Sequence, residues 1–171
     1  MLLLGLDPSF TRTGVCLTSG ISFKYKSIKV KECQWRIDTV LEEAHSVTVK
    51  LNTYLREQEV DFENLIAVVE YPIFATRSGS YLGVIMSKLD SYFRAKKVTI
   101  IFLPAVAVQS YTKTNGKTAL VEWYKANVDT TFKGNHDEAT AGVLIQIGVE
   151  VINGTYKKSS LIRKYGKEDK F

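Results

Sequence analysis

The sequence predicts a mixed α/β layer fold, five strands in one sheet with helices on both faces. Three observations predict it. Three β-prone segments open the chain with turns between them; two later apolar runs of strand length alternate with helical patterns; and helical periodicity closes the chain. The 171 residues suit one domain with a core of its own, and 45% hydrophobic against 24% charged residues excludes disorder and a membrane protein as classes.

The first strand is the apolar run of residues 1–6, closing on Asp7, after which Pro8-Ser9 opens a turn. Residues 14–18 return as the second arm of a hairpin. Residues 21–30 continue as a third strand, in which Phe23, Tyr25 and Ser27 alternate with Lys24, Lys26 and Ile28. Between residues 35 and 57, Ile37, Val40, Leu41, Ala44, Val47, Leu51, Tyr54 and Leu55 recur at three- and four-residue steps, the pattern of an amphipathic helix. Residues 65–69 form a continuous apolar run, the mark of a strand covered on both faces, and end on Glu70 with Pro72 behind it. A second helix is expected over 80–95 and a fifth strand over 98–103, stopped by Pro104. Later helices are expected over 118–126 and 137–149. No repeat or linker divides residues 1–155, and residues 156–171 read as a basic tail carrying Lys157, Lys158, Arg163, Lys164, Lys167 and Lys170.

The net charge of +5 and pI near 9.1 come largely from that tail. Such a tail suits a polyanion, since each neutralised phosphate releases counterions, although a solvated, frayed end explains it as well. Met1 to Leu4 is too short and lacks the basic flank of a signal peptide, and no stretch has transmembrane length, so a cytoplasmic protein is expected. Cys16 and Cys33 have no metal-ligand spacing.

The chemistry-bearing residues are acids at element ends. Asp7 and Glu70 each close an apolar strand, where α/β sheets place their sites. If the first and fourth strands are neighbours, the two carboxylates converge, and their repulsion calls for a cation or a proton. Oxygen ligands without a thiol or His cluster select Mg²⁺, with Mn²⁺ as a substitute. Asp137 and Glu138 open the last helix. Alone, Asp7 is explained as a turn former and the Asp137–Glu138 pair as capping acids. Together the acids suit two cations that activate water and stabilise the leaving oxygen in phosphodiester hydrolysis.

The segment Gly5-Leu6-Asp7-Pro8-Ser9-Phe10-Thr11-Arg12-Thr13-Gly14, then Val68-Val69-Glu70, then His136-Asp137-Glu138-Ala139-Thr140-Ala141 resembles the RuvC Holliday junction resolvases, particularly their small phage-type members. The resemblance implies an RNase H-like mixed five-stranded sheet and a homodimer. It also implies four acidic positions per site and Mg²⁺-dependent nicking of paired strands across a four-way junction. For a phage-encoded member the compartment would be the bacterial host cytoplasm. Asp7, Glu70 and Asp137 match three of the acidic positions. At the fourth, three residues along the final helix, stands Thr140, so Glu138 is kept as a substitute catalytic and metal-binding candidate, although adjacent helical residues point about 100° apart. His136 is either a contact to the reacting phosphate or an exposed neighbour of the cap.

The resemblance also implies DNA contacts. After Glu70, Tyr71 or Phe74 is a candidate to stack on an opened base, with Arg77 close behind, and burial of Phe74 in a core or dimer interface is the alternative. The stretch of residues 109–117 carries Lys113 and Lys117 around an Asn-Gly turn and is a candidate phosphate cradle, or else a plain solvated turn. Lys117 is the substitute for a family lysine where this chain has Leu120. Arg94, Lys96 and Lys97 are candidates to extend the basic surface. Among rival functions, an actin-like ATPase shares the first motif but needs a second phosphate motif that the chain lacks. A non-catalytic branched-DNA-binding protein with a weakened metal site, as Thr140 would report, is the more serious rival, and the three retained acids argue against it.

Overall fold

In the computed structural model, which describes residues 1–9, 11–29, 37–71, 77–158 and 161–163, the first three strands form an antiparallel meander. These are β1 (Leu2–Asp7), β2 (Arg12–Thr18) and β3 (Phe23–Lys29). Helix α1 (Ile37–Glu57) crosses over to β4 (Leu65–Tyr71), and α2 (Arg77–Ala95) crosses to β5 (Thr99–Pro104). Three helices follow: α3 (Val106–Thr112), α4 (Lys117–Asn127) and α5 (His136–Ile152). A short strand β6 (Leu161–Arg163) ends the described chain.

The sheet runs in the order β3-β2-β1-β4-β5-β6. Strands β1, β4 and β5 are parallel, while β2, β3 and β6 run against their neighbours. The expected five strands are present, and a sixth is added from the segment read as a tail. Leu161–Arg163 pairs with the free edge of β5, where the open row of amide and carbonyl groups gains partners.

Helices cover both faces, and strand alternation decides which residue meets which layer. Leu4, Leu6, Val15, Leu17, Ala67, Val69, Ile100 and Phe102 pack under α1 and α2. On the other face Val68, Ile101 and Leu103 meet α3, α4 and α5, and Leu3 and Cys16 meet Ala141 and Ile145 of α5. Central β4 is thus apolar on both sides, which is why its sequence shows an unbroken run instead of alternation.

Helix α3 has no counterpart in the sequence expectations. It occupies part of the stretch read as a phosphate-cradling turn. Seven residues with Val106 and Val108 among them have neither the length nor the propensity to signal a helix, and tertiary packing of Ala107 and Val108 supplies the stability. The helix stops at Lys113, whose φ of 56° is left-handed.

Candidate active site

The site is built at the end of the sheet where β1 and β4 finish side by side. Their parallel register pairs Leu6 with Val69, so Asp7 and Glu70 follow at the same level on adjacent strands. Both lie on the parity that faces α5, with Leu3 and Gly5 before Asp7 and Val68 before Glu70. The two acids line one groove of about 280 Å³ together with Thr140, Lys117 and His136.

Two glycines bring the third acid there. Asp7 is paired across the hairpin with Gly14, and a Cβ at Gly14 would run into the Asp137 backbone, its Cβ only 2.8 Å away. A Cβ at Gly5 would strike the Ala141 carbonyl. Bare backbone at these positions lets the first turns of α5 lie directly on β1 and β2, with Asp137 close enough to Asp7 to disfavour its charge. Any side chain at either glycine would lift the helix and carry Asp137 away.

The electrostatics follow from this crowding. The Asp7 carboxyl is raised well above the ordinary carboxylate range, first by burial and then by the Glu70 and Asp137 charges, against relief from the Thr140 hydroxyl and the Lys117 ammonium. Burial pushes Glu70 up to about 7. Asp137 is turned towards His136 and Arg12 instead: His136 Nε2 lies 2.7 Å from its Oδ1, and Arg12 Nε lies 4.0 Å from its Oδ2. With Asp137 so engaged, no cluster of three or more His, Cys, Asp or Glu side chains among the described residues is gathered into a metal cage.

Glu138 is not brought to this place. Its Oε1 accepts from Ser27 Oγ at 2.8 Å and its Oε2 from the Asn135 amide at 3.0 Å. Asn135 in turn caps the helix, its Oδ1 accepting from the amides of Asp137 and Glu138, and its Nδ2 donates to Ser27 Oγ at 2.8 Å. Both carboxylate oxygens of Glu138 are therefore spent in a capping box tied to β3. Thr140, one turn along from Asp137, lies on the Asp7 side: its hydroxyl favours the Asp7 charge and donates to the His136 carbonyl at 2.9 Å.

Among solved structures the chain matches Thermus thermophilus RuvC in complex with Holliday junction substrate, at a TM-score of 0.66 and 12% identity over 91% of this chain and 98% of that one. A second structure of T. thermophilus RuvC matches at 0.63 and 11% identity, with the same coverage. The fold is that of RuvC. No protein-family model matches the chain, and no curated protein matches it in sequence. At 11–12% identity the RuvC likeness is one of backbone architecture: an α/β fold of RNase H-like type that spans nearly the whole chain.

Within the RuvC fold the remaining candidates are placed as follows. Lys117 is the first residue of α4, exposed, and near enough to Asp7 to favour its charge. Leu120, three residues further on the same helix face, is buried beneath it, so the lysine one turn earlier reaches the acid groove. Lys113 is exposed at the end of α3. Tyr71 packs on the core with its ring edge-on to Phe102, centroids 5.8 Å apart. Phe74 lies outside the described residues, and of Arg77 only the backbone, at the start of α2, is described. Lys96 stacks on Phe62 at 5.0 Å and Arg94 pairs with Asp90 at 3.5 Å, both at the far end of α2.

Sequence reasoning passed over Arg12, Lys29, Ser27 and the spacing role of Gly14. Asn135 and Glu138 carried a readable signal, the Asn-x-x-Glu pattern of a capping box. Arg12 stood inside the first motif, but its approach to Asp137 depends on a helix that arrives from residue 136.

Proposed function

We propose that this chain is a metal-dependent endonuclease that nicks branched DNA, four-way Holliday junctions foremost, by phosphodiester hydrolysis. The observation that carries the reading is the convergence of Asp7 and Glu70 on neighbouring strand ends of a RuvC fold, with the first turn of α5 seated against Gly14 beside them. Buried carboxylates that oppose one another's ionisation form a hard, anionic oxygen set, which suits Mg²⁺ or Mn²⁺. In this reading Asp7, Glu70 and Asp137 would hold the ion, which when bound supplies charge that activates water and stabilises the leaving oxygen.

The chain's own residues have separate tasks. Asp7 and Glu70 set the position on rigid strand ends. Asp137 joins them by releasing His136 and Arg12, which then face the phosphate. Lys117 neutralises phosphate charge beside Asp7, and Lys113 extends that cationic margin. Glu138 serves as a cap that fixes α5, and Thr140 leaves the fourth acidic position weakened. Cutting paired strands calls for two sites, hence a homodimer. The sequence resemblance supports a phage-type member working in a bacterial host's cytoplasm, and no helix among the described residues is long and apolar enough to cross a membrane.

One observation favours a second reading, a branched-DNA-binding protein without catalysis: a threonine hydroxyl occupies the place of a carboxylate next to Asp7. Titrating Mg²⁺ into the protein with an end-labelled four-way junction separates the two. Metal-dependent symmetric nicks that vanish in Asp7→Asn support the nuclease. Tight junction binding without nicks at any metal concentration supports the binder, and absence of junction binding overturns both.

A further inference from the structure

Beside the acids lies a second, larger groove, of about 560 Å³, whose lining includes Arg12, Lys29, Lys117, Ser9 and Thr11. We propose that this groove is a track for the phosphodiester backbone of the cut DNA strand, holding the phosphates next to the scissile one on Arg12 and Lys29. The proposal rests on the nuclease reading above and assigns it a binding surface on the hairpin side of the site, away from Lys113.

Four observations carry it. Arg12 and Lys29 are direct cross-strand partners at the end of β2 and β3, an arrangement of like charges that costs stability unless an anion lies over it. Lys50 stands beside Lys29, its Nζ donating to the Lys29 carbonyl at 2.8 Å. Among the described lining residues Asp137 is the one acid, and Arg12 meets it only at 4.0 Å, so the guanidinium, about a third exposed at 38%, keeps donors for another partner. Finally, Lys117 and His136 line both grooves. The two grooves therefore adjoin at these residues, and a strand whose reacting phosphate lies over Asp7 and Glu70 would continue into the cationic one.

Among the described residues the lining offers cations and hydroxyls, the groups that receive a phosphate oxygen. Ser9 makes the placement firm: its hydroxyl accepts from the Arg12 amide at 3.1 Å and donates to the Arg12 carbonyl, so the β1–β2 turn presents Arg12 in a fixed position.

The test uses the full chain in EDTA, so that junction binding is read without cleavage. Fluorescence anisotropy of a labelled four-way junction across a salt series would be compared for wild type, Lys29→Ala, Lys29→Gln and Lys125→Ala, the last being an exposed lysine at the far end of α4. Both Lys29 variants are expected to weaken binding several-fold and to lower the slope of log affinity against log salt by about one unit, with Lys125→Ala unchanged. Neutral methylphosphonates placed singly beside the cut position should weaken wild-type binding at one or two positions and leave Lys29→Ala indifferent there. A wild-type slope in both Lys29 variants, or methylphosphonate effects that add fully to Lys29→Ala at every position, would overturn the groove while leaving the nuclease reading intact. Failure of the wild type to bind branched DNA would sink that reading and the groove with it.

Discussion

Replacing Glu138 by Gln separates a structural acid from the proposed metal ligand one residue away. In the folded protein its two oxygens accept from Ser27 Oγ at 2.8 Å and from the Asn135 amide at 3.0 Å. Ser27 Oγ already accepts from Asn135 Nδ2, so the Ser27 hydrogen has Glu138 as its acceptor. A glutamine has one carbonyl to offer: turned to Ser27 it sets its amide against the Asn135 N–H, and turned to Asn135 it donates to Ser27 Oγ and leaves the Ser27 hydrogen without its acceptor. Losing one hydrogen bond to a charged acceptor in this buried setting costs about 1.5–3 kcal/mol. Losing the negative charge at the start of α5 adds about 0.3–1 kcal/mol. The expected loss is about 2–4 kcal/mol, which in a domain of this size lowers the melting temperature by roughly 4–16 °C. Urea denaturation in EDTA reads the stability, and calorimetric Mg²⁺ titration below the melting range reads the metal site. Reduced stability with Mg²⁺ affinity unchanged within error is the expected pair of results. Wild-type stability with weakened Mg²⁺ binding would refute the reasoning and return Glu138 to the ligand set.

Three other outcomes are expected. Glu70, at about 7 against an ordinary 4.5, binds its proton more tightly folded than unfolded; this contribution is complete below 4.5 and lost as pH rises through about 7. In EDTA, wild-type stability should fall across that window, and Glu70→Gln should flatten the fall and be more stable above neutrality by on the order of 1–3 kcal/mol, while abolishing cleavage. Denaturation at several pH values checks this, and a variant less stable than wild type above neutrality contradicts it. Thr140→Asp should destabilise the metal-free protein by crowding Asp7 with a further carboxylate, yet lower the Mg²⁺ needed for half-maximal nicking. An unchanged metal requirement would mean that position 140 does not face the ion. Lys113→Ala with Lys117→Ala should reduce the salt slope of junction binding by about two units together. Lys117→Ala alone should also raise the Asp7 carboxyl further, since its ammonium favours the Asp7 charge, and an NMR titration of Asp7 showing no change would argue against that contact.

Local signals were enough for most of the fold. The apolar runs before Asp7 and Glu70, the alternation through Tyr25 and Ser27, and the helical stripe from Val40 to Leu55 each report burial at a fixed period, which neighbours in sequence define. The order of the acids, each at an element's end, pointed to the place of the candidate site. Partnership was not legible. Glu138 and Asp137 are adjacent in sequence and equally acidic, and what separates them is that β3 brings Ser27 beneath one while β1 brings Asp7 near the other. Gly14 reads as a turn or strand glycine until α5 arrives against its bare Cα. Arg12 and Lys29 are seventeen positions apart and become a charged pair only through the β2–β3 register. Periodicity fixes which face of an element is buried, because that depends on residues a few places away. The meeting of side chains from different elements depends on how sheet and helices dock, and so the site's working contacts were decided by tertiary structure alone.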